Sequence, residues 1–254
     1  MKPLFQLCLF LLLTARLVWG GEDIDDLLLS GIADRRVSQQ GLLELIAEAS
    51  QTQRQKPRDY MANWMLAALN YFYGDFYATS SEEKKAYFTR CKEYAEIAVK
   101  LNPQGPAGHY WLGVGLAKWA EYNGILHSLF TADDILNEMN TVIKLKPSFF
   151  KGLPFAIRAT VYAMAPPVIS VGNKEQAQAD IQTALIYGKD TRAVYQIVAD
   201  IYIYWKEWGK AAELIQQGLS LPYDKRLPLE EADCLRKLNE AQKKVEAELA
   251  KQKR

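Results

Sequence analysis

The chain has 254 residues, of which 49% are hydrophobic and 24% charged, with 15 Gly and 10 Pro. These values are ordinary for a soluble globular protein and exclude collagen-like and low-complexity chains. The formal net charge of +1 argues against a nucleic-acid-binding protein, which usually carries a clear basic excess. Two His and three Cys leave little material for a metal site, so neither a metal nor a cofactor is predicted.

The first 20 residues have the layout of a secretory signal peptide. Lys2 precedes the mostly apolar run Leu4–Leu13, and Gly20 offers a small residue at a cleavage site. The run is shorter than the roughly 20 apolar residues that span a bilayer, which favours a cleaved signal peptide. The alternative is that the segment is not cleaved and anchors the protein in the membrane. Cys8 lies inside the run rather than after the cleavage site, so there is no lipobox. The chain is therefore predicted to be exported to a bacterial periplasm.

Helical periodicity dominates the rest of the chain. Apolar residues recur every three or four positions, no stretch alternates for long as a strand would, and prolines fall between the periodic segments. The sequence therefore predicts an all-α chain. The predicted helices span residues 23–30, 38–54, 58–77, 81–101, 106–123, 132–145, 150–164, 174–187, 191–206, 208–220 and 228–251.

Three of these segments end alike, which indicates an internal repeat. They end in Leu101-Asn102-Pro103, Leu145-Lys146-Pro147 and Leu219-Ser220-Leu221-Pro222. This ending resembles the tetratricopeptide repeat (TPR), a unit of two helices. The resemblance implies an α-solenoid of about four helical hairpins with insertions, in a single domain over 21–254. The predicted repeats cover 58–103, 106–147, 150–189 and 191–222, followed by a C-terminal helix over 228–251.

A more specific resemblance is carried by residues 105–189. The stretches Gly108-His109-Tyr110-Trp111-Leu112-Gly113, Lys118-Trp119-Ala120-Glu121-Tyr122-Asn123-Gly124-Ile125 and Arg158-Ala159-Thr160-Val161-Tyr162-Ala163-Met164-Ala165-Pro166 resemble the TatT family. TatT proteins are helical components associated with tripartite ATP-independent periplasmic (TRAP) transporters. The resemblance implies an exported homo-oligomer that docks a periplasmic solute-binding protein and has pores suited to apolar ligands.

No catalytic signature is present, and a non-enzymatic role is predicted. The sequence lacks a Gly-rich phosphate loop, HExxH, CxxC and GxSxG. His109 and His127 flank an insertion, but a metal site needs more ligands than two His, so His109 is predicted to be a packing residue.

Paired carboxylates and cysteines also have structural interpretations. Asp133-Asp134 and Ser80-Ser81-Glu82-Glu83 are predicted to be helix starts, where oxygen atoms satisfy free backbone N–H groups. Cys91 and Cys234 are predicted to be buried thiols, although the sequence leaves a disulfide between them open.

Some side chains of the first helix of each repeat are predicted to face the inner, concave side of the solenoid. They are largely apolar with a few polar groups, as in a site for a small molecule or an apolar segment. The alternative is that the C-terminal helix or the insertion Asn123–Phe130 fills this groove. The candidate ligand- or partner-binding residues are Met65, Phe72, Tyr73, Tyr110, Val114, Lys118, Thr160, Met164, Gln196, Asp200 and Tyr204.

Two functions follow from these features. The first is a periplasmic TRAP-associated component that docks a solute-binding protein and holds or passes an apolar ligand. The alternative is a general envelope adaptor that binds peptide segments of an assembly complex. A hydrolase of envelope polymers has no acid–base or nucleophile constellation to support it.

Overall fold

The computed structural model describes residues 31–252, with the backbone alone for 125–129. Within this range the chain forms eleven α-helices, one short 3-10 helix and no strand, which confirms the all-α prediction. The helices are α1 (Ala33–Arg36), α2 (Gln39–Gln55), α3 (Tyr60–Phe76), α4 (Ser81–Leu101), α5 (Pro106–Asn123), α6 (Ile125–Leu145), α7 (Leu153–Met164), α8 (Lys174–Tyr187), α9 (Arg192–Tyr204), α10 (Trp208–Ser220) and α11 (Pro228–Gln252), with the 3-10 helix at Phe149–Gly152.

Polar side chains begin four of the helices. Ser38, Asp59, Ser80 and Asn173 each accept a hydrogen bond from the backbone N–H three residues ahead. Each bond satisfies one of the N–H groups that a helix start leaves free. The helix start predicted at Ser80 is therefore confirmed.

The start of α6 differs from the prediction. Gly124 adopts a φ of 99°, a left-handed conformation that ends α5, and α6 begins at the next residue. The stretch Asn123–Phe130 is therefore mostly the first turns of a long helix rather than an inserted loop. Asp133 and Asp134 lie inside α6 and are exposed, so their predicted role at a helix start is wrong.

Two other differences concern the N-terminal region. The single-turn helix α1 was not predicted, because four residues carry no periodic pattern. The predicted signal peptide and the predicted helix over 23–30 lie outside the described residues. Among the residues that are described, none of the helices combines the length and the apolar character needed to cross a bilayer.

Consecutive helices pack as pairs, α3 with α4, α5 with α6, α7 with α8, and α9 with α10. The first helices of neighbouring pairs also touch, α3 with α5 and α7 with α9. Small residues permit this close packing: a β-carbon at Gly115 would lie 3.0 Å from the backbone nitrogen of Lys92 in α4. One at Gly113 would lie 2.3 Å from Cε of Met139 in α6. These contacts build a solenoid of helical hairpins.

The core is divided along the solenoid. One hydrophobic cluster joins α2 to α6 around Trp64, Phe72 and Trp111. A second joins α7 to α11 around Phe155 and Ile215. In the second cluster α11 packs on both α9 and α10, so it covers the apolar face that the last hairpin would otherwise expose.

The two ends of the described chain meet. α11 contacts α1, where the Arg36 guanidinium lies 2.7 Å from a carboxylate oxygen of Glu230. The next residue, Glu231, lies 2.7 Å from Arg192 at the start of α9. The beginning of α11 is therefore attached both to the N-terminal segment and to the last hairpin.

Candidate functional site

The predicted inner face divides into a covered half and an open half. In the first two hairpins Phe72, Tyr73, Tyr110 and Val114 are buried, and Met65 is half-buried. The chain itself therefore occupies the surface that was predicted to be free for a ligand there.

Residues of α1 and α2 cover Phe72 and Tyr73. The Arg36 guanidinium carbon lies 4.2 Å from the centre of the Phe72 ring. Gln39 donates a hydrogen bond of 2.8 Å to the Tyr73 hydroxyl. The Tyr73 ring also stacks on Tyr87 at a centroid distance of 4.1 Å. The main occupant at this position is α1, which neither predicted alternative named, with Glu230 at the start of the C-terminal helix beside it.

The turn after α6 covers Tyr110. Phe149 and Phe150 are both buried and pack against the Tyr110 ring at centroid distances of 5.5 and 4.7 Å. Phe150 and Lys151 adopt φ values of 40° and 51°, which side chains other than glycine rarely do. This unusual backbone directs two consecutive aromatic rings into the same apolar space.

Lys118 is held in a polar network rather than pointing freely into a groove. Its ammonium lies 3.0 Å from Asp75 and 3.3 Å from Glu121. Burial acts to lower the pKa of Lys118, but these carboxylates outweigh it and the pKa is raised. Tyr71 donates a hydrogen bond of 3.1 Å to the same Asp75. The network links α3 to α5.

The last two hairpins leave their inner-face residues accessible. Met164 and Tyr204 are 39% and 55% exposed, large fractions for apolar side chains. Thr160 is half-buried, and its hydroxyl donates to the carbonyl of Ala156 in the preceding turn. Gln196 donates to the carboxylate of Asp200, and both are half-buried.

A cleft of about 370 Å³ lies beside these last residues, between α9 and α11. Its walls carry both charges and apolar surface. Gln196, Asp200 and Ile203 line it from α9, and Lys237, Glu240, Ala241 and Lys244 line it from α11.

Asp200 is a half-buried carboxylate in the wall of this cleft. Burial raises the pKa of its carboxyl, and the hydrogen bond from Gln196 and the nearby Lys237 and Lys244 oppose the shift without cancelling it. A partly desolvated carboxylate and two ammonium groups across a gap offer both an acceptor and donors to a bound segment.

The histidine and cysteine side chains that the structure describes pack inside the fold. His109 is buried, with Nδ1 2.6 Å from Glu138 and Nε2 2.9 Å from the carbonyl oxygen of Pro103. The side chain of His127 lies outside the described part. Cys91 and Cys234 are free and buried, as predicted, and burial raises the pKa of Cys234 to about 12. The described residues contain no group of His, Cys, Asp and Glu that could hold a metal ion.

Sequence reasoning brought together Gln196 and Asp200 but missed the opposite wall of the cleft. Lys237 and Lys244 lie on a helix in which positive and negative side chains alternate, and this pattern predicts a solvent-exposed surface. It also missed Arg36 and Glu230, whose contact joins residues 194 positions apart. No local pattern marks such a pair.

Comparisons with known proteins agree on a helical-repeat fold. No curated protein matches the sequence. A crystal structure of a thermophilic TPR protein from Thermus thermophilus is similar, with a TM-score of 0.59 and 16% identity over 83% of this chain and 98% of that one. At this identity the likeness shows the fold, and it confirms the predicted TPR-like α-solenoid.

The sequence itself matches a family model over its N-terminal part. The model is that of the regulator of microtubule dynamics proteins 1–3, and it matches residues 23–152. This range runs through α1 to α6 and the 3-10 helix, so it includes the covered half of the inner face. Because the match spans just over half of the chain, the chain belongs to the regulator of microtubule dynamics protein 1–3 family.

Proposed function

We propose that this chain is a non-enzymatic helical-repeat adaptor that binds a segment of a protein partner in the cleft between α9 and α11. The observation that carries the proposal is the cleft itself, which joins the accessible inner face of α9 to the charged face of α11. Helical-repeat proteins commonly use the inner surface of the solenoid for binding.

The lining of the cleft suits a peptide segment better than a small apolar molecule. Lys244 offers donors to backbone carbonyl or carboxylate groups, as does Lys237, whose ammonium also lies 2.7 Å from Asp233. Asp200 offers an acceptor to N–H groups. Ile203 and Ala241 add a small apolar surface for one side chain. Two aromatic inner-face positions that would suit an apolar ligand are covered, Phe72 by α1 and Tyr110 by the Phe149–Phe150 turn, while Tyr204 is 55% exposed.

The identity of the partner is a separate question with two candidate answers. The resemblance to TatT predicts a periplasmic solute-binding protein of a TRAP transporter, together with export, oligomer formation and an apolar ligand. The family description names regulation of microtubule dynamics, which points to a cytoskeletal partner. Both remain predictions, and the adaptor role is compatible with either.

A peptide array tests the adaptor role and the partner together. The array carries overlapping peptides from a TRAP solute-binding protein, from tubulin and from a random library. We expect peptides that bind the wild-type chain to lose at least tenfold in affinity to the double variant Lys237→Glu/Lys244→Glu. Reversing both charges replaces the donors of one wall of the cleft with acceptors.

The matched control is Lys243→Glu, which changes the adjacent exposed lysine of α11 outside the cleft lining. It should bind the same peptides as the wild type. Equal binding by all three proteins, or no peptide binding at all, would contradict the proposal. Which peptides bind then identifies the partner class.

A further inference from the structure

Residues 32–39 of the chain occupy the inner face of the first hairpin in the manner of a bound peptide. Arg36 is fully buried, and its guanidinium lies over the Phe72 ring at 4.2 Å. Its two terminal nitrogens lie 2.7 and 3.4 Å from the two carboxylate oxygens of Glu230. An aromatic face combined with a forked carboxylate contact is how proteins recognise an arginine side chain.

The segment is also held by one backbone contact and one further side-chain contact. Tyr77 donates a hydrogen bond of 2.7 Å to the carbonyl oxygen of Arg36. Gln39 donates one of 2.8 Å to the hydroxyl of Tyr73. We name the surface formed by Phe72, Tyr73, Tyr77 and Glu230 the arginine recess. It holds one arginine side chain together with its own backbone carbonyl.

The segment is a short element that precedes the capped start of α2. α1 is a single turn of four residues, too short to be stable alone. α2 does not need it as a cap, because Ser38 accepts the hydrogen bond from Gly41. Val37, which joins the two helices, is 50% exposed. Arg35 also forms two hydrogen bonds with Glu48 of α2, so departure of residues 32–36 would break these bonds while leaving the Ser38 cap in place.

The fit of Arg36 to the recess is also incomplete. Its Nε atom is buried and has no hydrogen-bond partner among the described residues. A buried donor without a partner costs free energy, so the internal occupant does not use all the binding capacity of an arginine.

We propose that the arginine recess is a binding site for an arginine-bearing segment of a partner protein, and that Arg36 occupies it from within the chain. A partner segment would displace residues 32–36 and place its own arginine between Phe72 and Glu230. The internal occupant lowers the apparent affinity for such a segment by the fraction of molecules in which the recess is open.

Fluorescence anisotropy with a labelled peptide tests this proposal. The peptide has the sequence of residues 31–40, and it is titrated with the full-length wild type and with Arg36→Ala. We expect the Arg36→Ala variant to bind it at least tenfold more tightly than the wild type, because its recess lacks the competing guanidinium. Adding Glu230→Ala should abolish the gain. A peptide with alanine at the position of Arg36 should not bind.

A folded Arg36→Ala protein that does not bind the peptide would overturn the proposal, as would equal binding of the alanine peptide. If that variant does not fold, hydrogen exchange on the wild type gives the answer. Excess peptide should speed amide exchange in residues 32–38 and leave α2 protected from Leu42 to Ala49; unchanged rates would also overturn it. Binding in the cleft between α9 and α11 depends on Lys244 and not on Glu230, so a failure here is distinguishable from a failure of the adaptor proposal.

Discussion

His109 shows how two hydrogen-bond acceptors raise the pKa of one side chain. Its Nδ1 faces the Glu138 carboxylate, and its Nε2 faces the carbonyl oxygen of Pro103. Neither neighbour can donate a hydrogen bond to the ring, so both contacts are satisfied when the ring carries both protons. Burial acts to lower the pKa of His109, but the hydrogen bonds to Glu138 and Pro103 outweigh it and raise the pKa. The residue therefore ties α5 to α6, and protonation of the ring strengthens the tie.

The contribution of His109 to stability should depend on pH. Its pKa in the folded protein is raised above the unfolded value of about 6.5. The stabilisation is therefore fully present below about pH 6.5 and is lost as the pH rises through the folded pKa. We expect the difference in free energy of unfolding between the wild type and His109→Gln to be larger at pH 5.5 than at pH 8.5, measured by urea denaturation. A difference that stays constant with pH would contradict this assignment.

Helices and their spacing depend on small residues as much as on periodicity. The repeat pattern places glycine or alanine where two helices approach, and Gly115 of α5 faces the backbone of α4. Helix ends were predictable to within a few residues, because Ser, Asp, Asn and Pro mark them locally. The start of α6 was not, because Gly124 changes the chain direction within one residue and the apolar pattern continues beyond it.

Enlarging Gly115 should separate α5 from α4. A β-carbon there would lie 3.0 Å from the Lys92 nitrogen and 3.1 Å from the Cys91 sulfur. The backbone of α4 cannot yield as a flexible side chain would, so we expect Gly115→Val to destabilise the protein by about 1–3 kcal/mol. Thermal and urea denaturation measure the change.

The same substitution at Gly209 is the control. This glycine lies in α10 with no atom within 4 Å of a β-carbon. Gly209→Val should leave the stability within about 0.5 kcal/mol of the wild type. Equal losses at both positions would show that the effect comes from helix propensity rather than from packing.

The whole molecule is held by buried ion pairs that join distant parts of the chain. Arg192 of α9 binds Glu231 at 2.7 Å and the carbonyl oxygen of Leu221 at 2.5 Å, and both charged side chains are buried. Burial raises the pKa of Glu231 even though Arg192 acts to lower it. The pair fixes the start of α11, which forms the contact with Arg36 through the neighbouring Glu230. The inner face is therefore shaped by contacts between the two ends of the solenoid.

Removing one member of this pair should be costly. Arg192→Met leaves Glu231 buried without its cation, and we expect a loss of about 3–5 kcal/mol in the free energy of unfolding. The double variant Arg192→Met/Glu231→Leu should recover most of the loss, because no unpaired charge remains. Lys251→Met, which removes an exposed pair with Glu248, should change stability by less than about 1 kcal/mol. If the double variant is no more stable than Arg192→Met, the loss comes from packing instead.

The sequence by itself determined most of the helices and their pairing into TPR-like hairpins, because periodicity, helix caps and small residues act over a few positions. The buried thiols and the packing role of His109 followed from the same register. Only the tertiary structure decided which part of the inner face is open. The open part is set by three features: the single turn that carries Arg36, the left-handed turn at Phe150 and the position of α11. Each depends on contacts between residues far apart in the chain, where local patterns carry no information.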